Sequence, residues 1–545
     1  MCTTNHGDGR ISHSVPGSKT CNIIRGIAFN MIKHAFLVFR TYLDLFIDYI
    51  FSLYWEAKRT PLPNLEKKHI ILKDDAVTIA AKIRNRQLKS EDLVQMCIER
   101  IKIVNPILNA VTDERFEEAL EEAREIDRML DEGLSEEYLK KKPFLGVPFT
   151  AKESHAVKGL LHTLGIKARA HVRAHEDAEC VRLMRAAGAL PLAVTNVPEI
   201  NKWCETRNMV FGQTNNPYHT GRTTGGSSGG EAALMAAMAT PISLCSDIGG
   251  STRMPAFYCG LFGINPTAGY TSLKGSALRS GKDDTMASIG FVSRHTCDLA
   301  ALTKVILADK AAELDLDRPV DLKTIKYYYL DTAQDLRVSP IQPELREAMD
   351  KVISQLSEEA SSARRYQHAG LDHMYALWRH AMTREADVFG RLLTNNQGEA
   401  SAVLELLKKL TGQSDYTWAA VLKLLDDQVL PRVNADWADR LTAALREDLL
   451  KTLGTDGVLL SASAPQPAPY HAAPLLRPFN FAYWGIFNVL RFPAVQVPLG
   501  LNSEGIPLGI QVVAAPAQEA LCLAVAEHLA RTFGGYVPPC KIIDT

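Results

Sequence analysis

Five short, nearly continuous apolar runs punctuate this chain, each set between stretches of helical period. They are PFLGVPFT, ALPLAVTNV, IKYYYL, DGVLLSAS and PLGIQVVAA, and they predict strands over 144–150, 189–197, 325–330, 456–463 and 507–515. A strand with no polar alternation is apolar on both sides, so it belongs in a sheet covered on both faces by helices. The expected fold class is therefore α/β, with a central twisted sheet between helical layers. Helices are expected over 75–87, from Ser90 as N-cap to about Val104, and over an acidic stretch from Glu114 to Asp131. Region 370–450 is helical in pattern and lacks strand signals, so it reads as a helical insertion.

At 545 residues, with 46% hydrophobic and 23% charged side chains, the chain has ample material for one large core. The 61 basic and 62 acidic side chains nearly cancel, which leaves no basic excess for phosphates and argues against a nucleic-acid partner. Ten widely spaced cysteines form no CxxC pair, and reduced thiols in an intracellular protein are expected.

Ahead of the globular part, residues 1–20 are polar and read as disordered. Residues 23–55 are strongly apolar, but Arg25, Lys33, Arg40, Asp44 and Asp48 interrupt them. Arg40, Asp44 and Asp48 recur at i, i+4 and i+8, on one stripe of a helix. Such a helix lies in a bilayer interface, or spans with its charges sheltered. The alternatives are a buried core helix or a homodimer contact. Thr60-Pro61-Leu62-Pro63 then reads as the linker into the globular part, residues 61–545.

Three separated pieces carry chemistry: Lys152 in FTAKES, the run Gly225-Gly226-Ser227-Ser228-Gly229-Gly230, and Ser251 in SDIGGSTR. Gly/Ser runs are usually linkers, but this one is followed at once by the Ala-rich helix EAALMAAMA. It is therefore a structured turn into a helix N-terminus. The Gly-Lys-Ser/Thr ending of a phosphate loop is missing, as is the G-x-G-x-x-G dinucleotide pattern. A base, two serines and successive backbone N–H groups at Ile248, Gly249, Gly250 and Ser251 are what acyl transfer requires.

The stretch GGSSGGEAALMAAMATPISLCSDIGGSTRMPAFYCGLFGINPTAG, residues 225–269, resembles the hallmark of the amidase signature family. The resemblance implies a Ser–Ser–Lys triad, with Ser251 as nucleophile, Ser227 as bridging serine and Lys152 as general base. It implies an oxyanion hole from the Ile248–Ser251 backbone, a supporting Ser228 and a cis Gly226–Ser227 peptide, with no metal or cofactor. Asn265 stands where the family usually has lysine, a departure that bears on packing behind the site. The likeness narrows to the fatty-acid amide hydrolases, in their second form, from about residue 70 onward. That implies long-chain acyl ethanolamides and primary fatty amides as substrates, a membrane surface as partner, and an endoplasmic-reticulum or lipid-droplet type membrane. The competing reading is an amidase of small polar amides, or an ammonia-releasing amidotransferase subunit.

Several further residues are candidates with bland alternatives. Asp247 and Arg253 are expected to brace the nucleophile loop as an ion pair. Glu153 is either solvated or a partner behind the lysine. His155, His162, His171 and His175 lack ligand spacing and read as structural or exposed. Met374, Tyr375, Leu377, Trp378, Met382, Phe389, Leu392, Leu393, Leu404 and Leu407 either line an acyl channel or pack as ordinary helices. Phe479, Phe481, Tyr483 and Trp484 form a second aromatic patch near the site.

Overall fold

The apolar runs meet edge to edge in one mixed sheet of eleven strands. The computed structural model describes residues 17–331, 335–386 and 388–543. In chain order the strands are β1 (Val111–Glu114), β2 (Pro148–Lys152), β3 (Leu190–Thr195), β4 (Ile242–Asp247), β5 (Phe262–Asn265), β6 (Ser288–Ser293), β7 (Lys326–Leu330), β8 (Arg364–Arg365), β9 (Gly457–Ala462), β10 (Ala494–Leu501) and β11 (Pro507–Ala514). Across the sheet they run β8-β7-β9-β11-β10-β5-β6-β4-β2-β3-β1. The parallel pairs β2–β3 and β2–β4 sit toward one edge and β7–β9 and β7–β8 at the other, joined by antiparallel strands.

All five expected strands are present, as β2, β3, β7, β9 and β11, within a few residues of their expected ends. The first begins only at Pro148, because Phe144–Val147 forms a turn before it. Every residue of β2, β3, β6 and β9 is buried, as unalternated apolar runs require. Helices close both faces; Glu519–Phe533 packs on β10 and β11, and Gly229–Ala236 packs on β4.

The helix at Ser90 runs to Leu108, but Ser90 is its first residue rather than its cap. Its Oγ donates to the Gly146 carbonyl instead, at 2.7 Å. The orphan N–H groups of Ser90 and Glu91 are met by the distant Asp127 carboxylate. The 370–450 region is helical as expected, from Met374–Met382 to Ala435–Leu453.

The N-terminal helix spans Gly17–Trp55, so residues 17–20 of the opening expected to be disordered are helical, while residues 1–16 lie outside the described residues. No described helix is long and apolar enough to cross a membrane. The side of this helix that meets the rest of the protein carries the charged stripe Arg40, Asp44 and Asp48 together with Ile47, Phe51 and Trp55. Asp44, Ile47, Phe51 and Trp55 turn inward, with Ile47, Phe51 and Trp55 packing on Tyr470 and Ala473. Phe39, Tyr42, Phe46, Tyr49 and Leu53 stay exposed.

Candidate active site

β2 and β4 lie side by side and parallel, with Ala151 level with Leu244. Both therefore point their carboxyl ends into the same crevice, the usual place for a site in an open α/β sheet. Lys152 is the last residue of β2, and β4 ends in Ser246 and Asp247 before the loop that carries Ser251. The glycine–serine run enters the same crevice at the start of the helix Gly229–Ala236. Lys152, Ser227, Ser246 and Ser251 thus line one small cavity of about 40 Å³.

Lys152 is 1% exposed, and burial pulls its ammonium from its usual range down to about 8. Nζ lies 2.7 Å from Ser227 Oγ, 3.1 Å from Ser246 Oγ and 3.4 Å from the Ser246 carbonyl. A neutral amine has two N–H donors and one lone pair. Donating both to Ser246 leaves the lone pair for the Ser227 hydroxyl. Ser246 was not among the expected residues. Its signal is its place in SDIGGS, one residue from the end of a strand that neighbours the lysine strand.

The loop that carries Ser251 is held by a buried pair. Arg253 Nε lies 3.0 Å from Asp247 Oδ2, both side chains fully out of water, so the expected ion pair forms. The Asp247 carboxylate also accepts from the N–H groups of Gly250 and Thr252 and from Asn488 Nδ2. Burial alone would raise this carboxyl, but the Arg253 guanidinium together with the Gly250 N–H and Asn488 outweighs it, and the group sits below its usual range. Arg253 is itself fully partnered by Gln511, Asn488 and the Trp484 carbonyl. Gly250 adopts φ +106, and a Cβ there would lie 2.5 Å from Trp484 Cβ, so only glycine fits. Gly226 is constrained by space, since a Cβ would meet the Trp203 carbonyl oxygen at 2.3 Å. The Gly226–Ser227 peptide is cis, and the Ser228 N–H donates to the Ser251 carbonyl at 3.1 Å. Ser228 therefore supports the Ser251 loop through its backbone.

The remaining candidates have structural places. Glu153 is buried and accepts from the N–H groups of Thr163 and Leu164, tying a loop to β2; burial raises it to about 7. His155 meets Ser276 Oγ, and burial lowers it to about 3. His162 meets the Ser154 carbonyl, while His171 and His175 are exposed. None of the four belongs to the one His/Cys/Asp/Glu group of ligand-like spacing among the described residues. Asn265 is buried at the end of β5.

Beside the Lys152 cavity lies an apolar one of about 370 Å³, and Ser251 and Ile248 line both. That volume falls in the range of roughly 300–1,000 Å³ usual for small-molecule sites. Of the expected channel residues only Tyr375 and Trp378 reach it, joined by Leu422 and Leu425 from the helix Trp418–Gln428 and by Leu430 just beyond it. Trp378 also donates from Nε1 to the Ile248 carbonyl at 3.1 Å, pinning the loop that carries Ser251. Phe389, Leu392 and Leu393 pack in a separate small core, and Leu404 and Leu407 are exposed. From the second aromatic patch Phe479 and Phe481 line the cavity; Trp484 packs under Gly250, and Tyr483 donates to the Ser339 carbonyl.

A family model described as Amidase matches residues 92–523. The chain is 39% identical to Fatty-acid amide hydrolase 2 of Homo sapiens over 502 residues, covering 89% of this chain and 93% of that protein. It is 36% identical to Fatty-acid amide hydrolase 2-B of Danio rerio, covering 85% of this chain and 90% of that one. Among solved structures, 6-aminohexanoate cyclic dimer hydrolase complexed with substrate superposes with a TM-score of 0.69 at 25% identity, covering 85% of this chain and 98% of that one.

Proposed function

Because this chain belongs to the amidase signature family, we propose that it hydrolyses long-chain fatty-acid amides through Ser251, Ser227 and Lys152. One observation carries the substrate class: Ser251 sits where an apolar cavity walled by Trp378, Phe479 and Phe481 meets the small cavity that holds Lys152. An acyl chain then occupies the larger apolar side, and water and the leaving amine use the Lys152 side. A small polar amide has no need of such walls, which disfavours the competing reading. The names of the relatives from Homo sapiens and Danio rerio support the same choice.

In the proposed reaction neutral Lys152 accepts a proton from Ser227 as Ser227 accepts one from Ser251. The Ser251 Oγ–carbon bond forms and the carbonyl becomes an oxyanion. The Gly250 N–H is already committed to Asp247 at 2.6 Å. The oxyanion hole expected over Ile248–Ser251 therefore narrows to the N–H groups of Ile248, Gly249 and Ser251. The proton returns along the same relay to the leaving nitrogen, the C–N bond breaks, and water hydrolyses the acyl-enzyme with Lys152 again as base. The products are a fatty acid and ethanolamine or ammonia.

We also place the protein at a membrane surface. The exposed face of the N-terminal helix carries Phe39, Tyr42, Phe46, Tyr49 and Leu53, and Leu422, Leu430 and Leu476 are exposed beside the apolar cavity. Burying one such side chain in an acyl boundary is worth about 1.5–3 kcal/mol, enough in sum for interfacial binding. Acid release from oleamide, an acyl ethanolamide and a short polar amide tests the reading. Cleavage of the two lipids, lost in Ser251→Ala, supports it; cleavage of the short amide alone overturns it.

A further inference from the structure

Residues 466–481 do two things at once: they wall the apolar cavity and they hold the N-terminal helix. Leu475, Pro478, Phe479 and Phe481 face the cavity. Arg477, in their midst, is instead buried against the helix. Its Nε lies 3.1 Å from Asp44 Oδ1 and its Nη1 2.8 Å from Asp48 Oδ1. It also donates to the Asp44 carbonyl and to Gln466 Oε1, each at 2.5 Å. Arg40, one turn earlier, pairs with Asp44 at 3.4 Å and reaches Ser339 Oγ at 3.5 Å. The Ser339 N–H in turn donates to Asn480 Oδ1 at 2.8 Å, between the two lining phenylalanines. At the far end Trp55 Nε1 donates to the His471 carbonyl, and Glu56 accepts from Tyr470.

We infer that the N-terminal helix is a wall-bearing part of the acyl pocket, with Arg477, Asp44 and Asp48 as positioning residues that set its preference for long acyl chains. Two cations and two carboxylates close the clamp, and both carboxylates come from the helix. Without them a buried guanidinium is left unpaired, and it moves toward water rather than stay so. The lining residues on either side of Arg477 move with it. Ser251 is held from elsewhere, by Asp247, Arg253 and Trp484, so a substrate too short to reach Phe479 does not sense the loss. This inference rests on the reading that the apolar cavity takes an acyl chain.

The test uses the full chain in detergent micelles, where membrane recruitment contributes nothing. Rates of Ser251 phosphonylation are measured with a dodecyl and an ethyl fluorophosphonate; in each the Oγ–P bond forms and fluoride leaves. In Asp44→Asn/Asp48→Asn the dodecyl-to-ethyl ratio falls about tenfold, within the range of coupled neighbours, while the ethyl rate stays within about twofold. Adding Arg477→Met removes the unpaired charge, so this triple variant folds even if the double one does not, and it too shows the lowered ratio. A wild-type ratio in either variant overturns the inference. A wild-type chain that prefers the dodecyl probe but releases no acid from oleamide sinks the amide reading alone.

Discussion

The proton on Lys152 sets how this site responds to pH. Burial moves the lysine from 10.5 to about 8, a displacement worth about 3 kcal/mol against the charged form. With an unshifted lysine roughly one site in 3,000 would hold a neutral base at pH 7; with the shift about one in ten does. The expected kcat/KM therefore climbs about tenfold between pH 7 and 9, with a single limb near 8. Lys152→Met removes the limb and lowers activity by about 10²–10⁴-fold. Stability follows the same group. Below about 8 folded and unfolded chains both hold the proton, and the folded state bears the full cost. Between about 8 and 10.5 only the unfolded chain binds it, so wild-type stability rises with pH, and above 10.5 the cost is gone. Relative to Lys152→Met, which has no such term, the wild-type Tm rises across that window. The assay is steady-state acid release from oleamide in a series of buffers, paired with thermal melts. A limb near 6.5, where a histidine titrates, or above 10, where an unshifted lysine would, refutes the reasoning.

Other substitutions test separate parts of the site. Arg253→Met leaves the Asp247 carboxylate buried without its cation, and is expected to cost about 3–5 kcal/mol, seen as a lower denaturation midpoint. Gly250→Ala forces a side chain into positive φ and into Trp484; it costs at least about 1–3 kcal/mol and hydrolysis falls below detection, while Gly505→Ala, which shares the positive φ but meets no neighbour, loses stability by about the same strain and keeps its activity per folded molecule. Ser246→Ala removes the 3.1 Å contact to Lys152 Nζ and is expected to lower kcat by about tenfold, with the melting curve shifted by no more than about 1 kcal/mol.

Much of this was legible because the relevant signals are local. The apolar runs announced β2, β3, β7, β9 and β11 through the absence of alternation. Strand β4, ISLCSD, escaped the same reading because serines and a cysteine interrupt its apolar residues, although five of the six are buried. That Lys152, Ser227 and Ser251 would meet was legible from their residue types and from the hallmark around them, and the three line one cavity. Ser246 was not, since its role depends on the parallel register between β2 and β4. The Gly250 N–H was expected in the oxyanion hole, but that Asp247 would claim it depends on how the loop folds back. The pocket wall was half legible: helical spacing cannot tell Trp378, which reaches the cavity, from Phe389, which packs elsewhere. The orientation of the N-terminal helix was the least accessible. Its charged stripe looked like an interruption of an apolar surface, and the partner that turns it inward, Arg477, lies 433 positions along the chain from Asp44.

The central claim is that Ser251 becomes acylated by a long-chain amide. Rapid acid quench of the protein during turnover of oleamide, followed by peptide mass spectrometry, reads this directly. The account predicts an oleoyl adduct on the peptide containing Ser251, absent in Ser251→Ala and accumulating at a rate that follows the Lys152 limb. An adduct on another residue, or acid release with no acylated Ser251 at any quench time, would contradict it.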